Sequence, residues 1–289
     1  MVERNVFYER LTWPQIREAA RADQVILIPF ASIEQHGPHL PVDVDLRLAR
    51  EVCVRAAGRN PNCLVMTPLA FGFEPHHMAW PGTIDVDWDV LIRYGVCVVS
   101  SLARHRFRRI LLINGHGSNR PILEMIVRLA QIRHPEIICA GQSWFALGAV
   151  AAAFQPLQES AYTSHACELE TSAYLALDPD LVDMSQAAPD YSFRQSPHFW
   201  ADLTGRKPDA DSAAPLVAME YFATGSWTGV RGDPSKASAA KGEAALEAAA
   251  DEVAAIVGEM RAREIIPPPD HHEADLEALK RQAAAASRR

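Results

Sequence analysis

The sequence is 289 residues long and has no CxxC pair; its five cysteines, Cys53, Cys63, Cys97, Cys139 and Cys167, stand singly. An odd, scattered set argues against a disulfide framework and reads as reduced thiols in a cytoplasmic protein. No apolar run approaches the roughly 20 residues that a membrane helix needs. The N-terminal stretch MVERNVFYERLTWPQ lacks the apolar core of a secretion signal. Positive charge is short as well: 28 Lys and Arg against 36 Asp and Glu leave a net charge of −8. A nucleic-acid binder usually shows a basic face instead. There is no G-x-G-x-x-G or GKS/GKT loop, which sets aside an ordinary nucleotide-binding doubly wound domain. Repeats are absent, and so is any long linker before residue 265.

What is present is 48% hydrophobic and 22% charged residues, the balance of a globular chain able to build one sizeable core. Apolar runs of strand length occur at 24–30, 63–72, 108–115 and 136–141. Between and around them, helical spacing marks 12–22, 45–57, 90–104 and 121–133, with Pro121 suited to a first helical turn. Short apolar strands alternating with helices argue for an α/β fold with a mostly parallel sheet covered on both faces. A further helix is expected from Ser164 and a long alanine-rich one over 237–263. The stretch 178–233 reads as irregular loops lying near the pocket.

Two polar clusters stand at expected strand ends, where open α/β sheets bind ligands. The first, IEQHGPHLPVDVD (33–45), packs Glu34, His36, His39, Asp43 and Asp45 into thirteen residues. The second is NGHGSN (114–119). Glu34 and His36 are two apart, so on extended backbone they point the same way, with Cα atoms about 6.7 Å apart. So placed, each can reach one of two metals about 3.5–4 Å apart. Asp45 is placed to bridge them, and His116 comes from the second strand end. Carboxylate and imidazole donors suit Zn, Mn or Fe alike. Singly, Asp45 is equally a helix cap and Glu34 and His36 solvated loop residues; as a set at two strand ends they read as a metal site. A third cluster, SHACELETS (164–172), sets His165 and Glu168 three apart, on one face of a helix. Glu168 would complete the metal shell, and His165 would stand over a substrate as proton donor. The same residues also spell a capping box begun by Ser164. His39 and Asp43 are expected to hydrogen-bond around the ligands rather than ligate. Cys167 reads as a buried thiol, not a nucleophile. His77, Gly117, Ser118 and Trp227 are the expected substrate contacts, with Trp200 a further candidate cover.

EQHGPHLPVDVDLRLA, HHMAWPGT (76–83), NGHGSN, HACELETS and GVRGDPSKASAAKG (229–242), in that order, make the chain resemble the creatininase family over about residues 8–262. These are the metal-dependent creatinine amidohydrolases and their relatives. The resemblance implies a three-layer α/β/α fold over 1–264, with 265–289 as a tail. It also implies a binuclear centre of two divalent ions, commonly a homohexamer, and hydrolysis of a C–N bond in a small or cyclic amide by a metal-activated bridging water. By match to the motifs, Glu34 and His36 would bind different ions, Asp45 would bridge, His116 would bind one ion, and His165 would be the catalytic histidine near the leaving nitrogen.

The departures from the family pattern concern the substrate. Creatininase proper resembles NGHYEN at the second cluster, where this chain has Gly117 and Ser118 in place of a tyrosine and a metal-binding glutamate. Serine is a poor ligand here, so a replacement carboxylate is needed, and Glu168 is the candidate. Val44, Cys167 and His76 also differ from the usual residues. The expected function is therefore a metal-dependent amidohydrolase acting on a small molecule other than creatinine. A formamide deformylase, a precursor-peptide peptidase or a lactonase would use the same site. A basic pocket for a phosphate would favour the deformylase, but only scattered arginines (Arg194, Arg206, Arg231) are present. Outside the enzymes, a silent small-molecule-binding scaffold would follow if Glu168 did not reach the metals.

Overall fold

The computed structural model describes residues 5–287. Its helices are α1 (Trp13–Arg21), α2 (Val44–Arg59), α3 (Trp88–Arg104), α4 (Arg120–Arg133), α5 (Gly148–Phe154), α6 (Glu168–Leu177), α7 (Ala239–Ala262) and α8 (Leu276–Ala286). Four strands, β1 (Val25–Phe30), β2 (Cys63–Val65), β3 (Arg109–Asn114) and β4 (Ile138–Ser143), pair in parallel in the order β2-β1-β3-β4.

Side-chain alternation along the strands makes the layers. Val25, Leu27, Leu111 and Ile113 enter one apolar core with α2, α5, α6 and α7. Ile26, Ile28, Phe30, Ile110 and Leu112 enter a second core with α1, α3 and α4. Every residue of β1 and β3 is buried, as a parallel sheet covered on both faces requires. The fold is the expected three-layer α/β/α sandwich.

Two elements differ from their sequence-based expectation. The second strand stops at Val65, because Pro68 can offer no ladder hydrogen bond; pairing resumes only as an isolated bridge from Phe30 to Leu69. The helix expected from Ser164 begins four residues later, at Glu168. Ala166 adopts a left-handed conformation (φ 47°), which no helix tolerates. His165 instead lies on an extended segment bridged to Arg231.

The register sets the stage for the site. Phe30 pairs with Asn114, and Asn114 with Ser143. The carboxyl ends of β1, β3 and β4 are therefore level, and their loops leave the sheet together. Residues 178–233 hold short 3-10 turns and isolated bridges, with no regular strand or α-helix. No helix among the described residues is long and apolar enough to cross a membrane.

Candidate metal centre

Asparagines hold the two strand-end loops in place. Asn114 donates through Nδ2 to the His116 carbonyl (2.6 Å) and to Ser143 Oγ (2.9 Å), fixing the His116 backbone. Asn119 donates to the Ala31 carbonyl (2.9 Å) and accepts from the Phe73 amide (3.0 Å), tying three loops together. Gly115 lets the second loop press on the first turn of α2: a Cβ there would collide with the Asp45 carbonyl. Neither the asparagines nor Gly115 was singled out from sequence, where their only signal is membership of NGHGSN.

The result is a compact set of buried donors. Glu34, Asp45 and His116 form one group and His36, Asp45 and Glu170 another, with ligand atoms in each within 4.8 Å of one another. Asp45 belongs to both. A third group joins Glu34 and His36 to His165. His116 Nδ1 stands 3.1 Å from Glu34 Oε1 and 3.2 Å from Asp45 Oδ2. His36 Nε2 stands 3.5 Å from Asp45 Oδ1 and 3.9 Å from Glu170 Oε1. Ligands about 2.1 Å from one tetrahedral ion lie about 3.4 Å apart, so this spacing accommodates a cation. Glu34 Oε2, His36 Nε2 and Asp45 Oδ2 are buried with no hydrogen-bond partner. Buried polar atoms are normally satisfied, and cations held by the two groups that share Asp45 would satisfy them. The residues fit a metal.

Electrostatics point the same way. Burial pushes the Glu34 carboxyl up and, against the pull of His36, brings Glu170 up to about 7. Burial acts upward on Asp45 too, but His36 and His116 hold it below the usual carboxylate range. Burial alone would lower His36, yet Asp45, Glu170 and Glu34 raise it to about 10. His116 is likewise raised, against burial, by Glu34 and Asp45. The acids thus demand positive charge at the positions that ligands would give to cations.

Several expected site residues lie elsewhere. Glu168 does not face the cluster. Its carboxylate accepts from Lys241 Nζ (2.6 Å) and from the backbone amides of Ser160 (2.7 Å) and Glu159 (3.1 Å), which makes it an anchor between α6 and α7. On a helix two residues are about 200° apart, so Glu170 takes the inward direction that Glu168 was expected to take. Trp227 does not line the cleft either; it is 86% exposed, with its backbone amide on Asp190. Trp200, Phe222 and Arg231 line it instead, together with His76, His77, Gly117, Ser118 and His165. His39 binds Thr171 Oγ1 (2.9 Å), and Asp43 accepts from Tyr174 (2.8 Å), so both tie the ligand loop to α6. Cys167 is buried, and burial pushes its thiol well up.

The cleft above this floor has a volume of about 500 Å³. With the site's geometry in view, known proteins place it. The sequence profile of the creatininase (creatinine amidohydrolase) family matches residues 9–257. The chain belongs to the creatininase family. It is 30% identical over 270 residues to 3-dehydro-scyllo-inosose hydrolase of Thermotoga maritima, across 89% of this chain and 84% of that one. It is 31% identical over 249 residues to the mycofactocin precursor peptide peptidase of Mycobacterium ulcerans, across 80% and 79% of the two chains. Among solved structures, a manganese creatininase matches with a TM-score of 0.69 at 28% identity, over 92% of this chain and 100% of that one. A Zn-Zn form of a mutant creatininase matches with a TM-score of 0.70 at 28% identity, over the same shares.

Ser118 and His76 form one corner of the cleft. Ser118 Oγ lies 3.1 Å from His76 Nε2, and burial lowers His76 to about 3. That corner offers a neutral hydroxyl and a neutral ring rather than a carboxylate.

Proposed function

We propose that the protein is a metal-dependent hydrolase that cleaves the C–N bond of a small amide other than creatinine. The observation that carries this reading is the convergence of two ligand groups on one shared carboxylate, Asp45, at the floor of the cleft. Glu34, Asp45 and His116 would hold one divalent ion, zinc or manganese, and His36, Asp45 and Glu170 a second. Bound there, the ions supply a Lewis acid and an activated water at neutral pH.

The chain's own residues position and move the proton. His165 Nε2 donates to the Gln35 carbonyl at 2.7 Å, which leaves Nδ1 as the ring's acceptor. That Nδ1 lies 3.5 Å from Glu34 Oε1, at the edge of the ligand groups. Burial and the neighbouring His36 push His165 well below the usual histidine range. A neutral ring with its Nδ1 free can take a proton at the site and pass it to a departing nitrogen. Phe222 stacks on His77 (centroids 4.3 Å) and meets the His165 ring edge-on (4.9 Å), which packs both rings against one wall.

A second reading keeps the site and changes the substrate. The cleft has room for a ligand larger than creatinine, and one relative carries the name of a precursor peptide peptidase. An amide at a peptide's end would present the same C–N bond.

Metal content of protein purified without added metal tests the centre. We expect close to two ions per chain in wild type, fewer in Glu170→Gln, and no change in Glu168→Gln. Amide turnover should follow the metal. A wild type that stays empty after reconstitution with zinc or manganese would overturn the hydrolase.

A further inference from the structure

Arg231 stands in the wall of the cleft, 9% exposed. It exchanges both backbone hydrogen bonds with His165, at 2.9 and 3.2 Å, so its side chain leaves the chain beside the residue given the proton. Its guanidinium carbon lies over the rings of Phe222 (4.0 Å to the centroid) and Phe193 (4.5 Å). Aromatic rings satisfy the faces of a guanidinium and leave its in-plane N–H groups to find acceptors. Those acceptors are scarce. Nη2 reaches only the Phe222 carbonyl, at a long 3.4 Å, and Nε is buried with no partner. Glu220, exposed at the rim, and Asp190 act on it through space. Among the described residues no carboxylate closes an ion pair with it.

A buried cation without a partner is costly in solvation. Beside a reaction site, such a cation suits an anion that arrives with the ligand. We propose that Arg231 anchors a carboxylate on the substrate, so that the amide cleaved here belongs to a molecule carrying a carboxylate away from its scissile bond. The amide half of this statement rests on the hydrolase reading; the carboxylate half rests on Arg231. A planar fork with spare donors matches a carboxylate edge to edge. Phe222 touches both Arg231 and His165, so anchor and proton carrier share one wall of the cleft. Arg120, also lining the cleft, adds positive charge for the approach.

Binding tests the anchor separately from turnover. The full-length, metal-loaded protein is titrated calorimetrically with two matched pairs, succinamate against succinamide and dihydroorotate against dihydrouracil. Wild type should bind the charged member of at least one pair about 10-fold or more tighter, the scale of a charge-assisted hydrogen-bonded pair. Arg231→Gln should bring that pair to within about 2-fold, with metal content unchanged. Arg231→Lys, which keeps the charge and loses the fork, should retain a reduced preference; it carries the test if the glutamine variant does not fold, and an undiminished preference there counts against the fork. A preference that survives Arg231→Gln would place the carboxylate on the metal ions and overturn the anchor. Equal affinity in wild type, or no binding of either member, overturns it too. A wild type inactive on every amide but selective for the charged members would remove the hydrolase and leave the anchor standing.

Discussion

His165 sits where two roles meet. It falls in a ligand-like group with Glu34 and His36, with its Nδ1 3.5 Å from Glu34 Oε1, while its Nε2 is committed to a backbone carbonyl. If it carries protons, His165→Ala keeps the wild-type metal content and loses turnover by about 10²–10⁴-fold. Metal lost in parallel with turnover would recast His165 as a ligand. Asp190 shows a different residue-scale effect. Burial acts upward on its carboxyl, but donors from Ser192, Trp227 and Thr228 outweigh burial and bring it down to about 2. The Trp227 amide lies 2.7 Å and Ser226 Oγ 3.0 Å from its Oδ2. A carboxyl depressed in the folded state adds stability above its unfolded pKa of about 3.9, and that stability is lost as pH falls through the folded value. Asp190→Asn should therefore cost about 1–3 kcal/mol in urea unfolding at pH 7, with the gap from wild type shrinking as pH falls from 4 toward 2. A gap that stays constant across that window would mean that the charge is not what holds the loop.

At the scale of elements, α6 decides the site, and α7 decides where α6 lies. Gly242 of α7 lies so close to α6 that an added Cβ would collide with the Ser172 carbonyl, two residues from Glu170. Gly242→Ala should force the helices apart, cost about 1–3 kcal/mol as overpacking does, and lower metal content through Glu170. Gly258, on the same helix, has open space around its Cβ position. Gly258→Ala should instead stabilise by about 0.4–1 kcal/mol through the unfolded chain. Equal effects at the two glycines would remove the packing argument. The same helix marks the limit of what sequence could tell. The strands and the two ligand loops were legible, because burial on both faces makes each central strand a continuous apolar run and the acids and histidines cluster just past it. Choosing Glu170 over Glu168 needed the phase of α6, and that phase is set by the left-handed Ala166, which no periodicity announces. Within 178–233 no period exists to read. Arg231 joins His165 by a bridge between distant segments, and the cleft takes Trp200 rather than Trp227, so both facts are tertiary.

On the whole molecule, one outer layer leaves apolar side chains facing outward. Val90 and Tyr94 are exposed four residues apart on α3, and Met125, Leu129 and Ile132 are exposed at i, i+4 and i+7 on α4, with Ile132 at 77%. The two helices pack side by side. Single exposed apolar residues are ordinary, whereas stripes at helical spacing on neighbouring helices make a surface suited to being covered. The occupant we expect is a second copy of the chain, as in the homo-oligomer that the family resemblance implies. We expect light scattering to report a multiple of the chain mass, and Leu129→Glu combined with Ile132→Glu to reduce it while metal content holds, since neither residue belongs to the ligand groups. Two buried carboxylates are among the strongest disruptions that an apolar contact can receive. A wild type that runs as a single chain at micromolar concentration ends this reading. An oligomer untouched by the double substitution would move the contact to another apolar edge. The exposed run Leu216, Val217, Met219 and Tyr221 is the first place to look, because Leu216 and Met219 also line the cleft, and a partner seated there would help to shape the substrate's entrance.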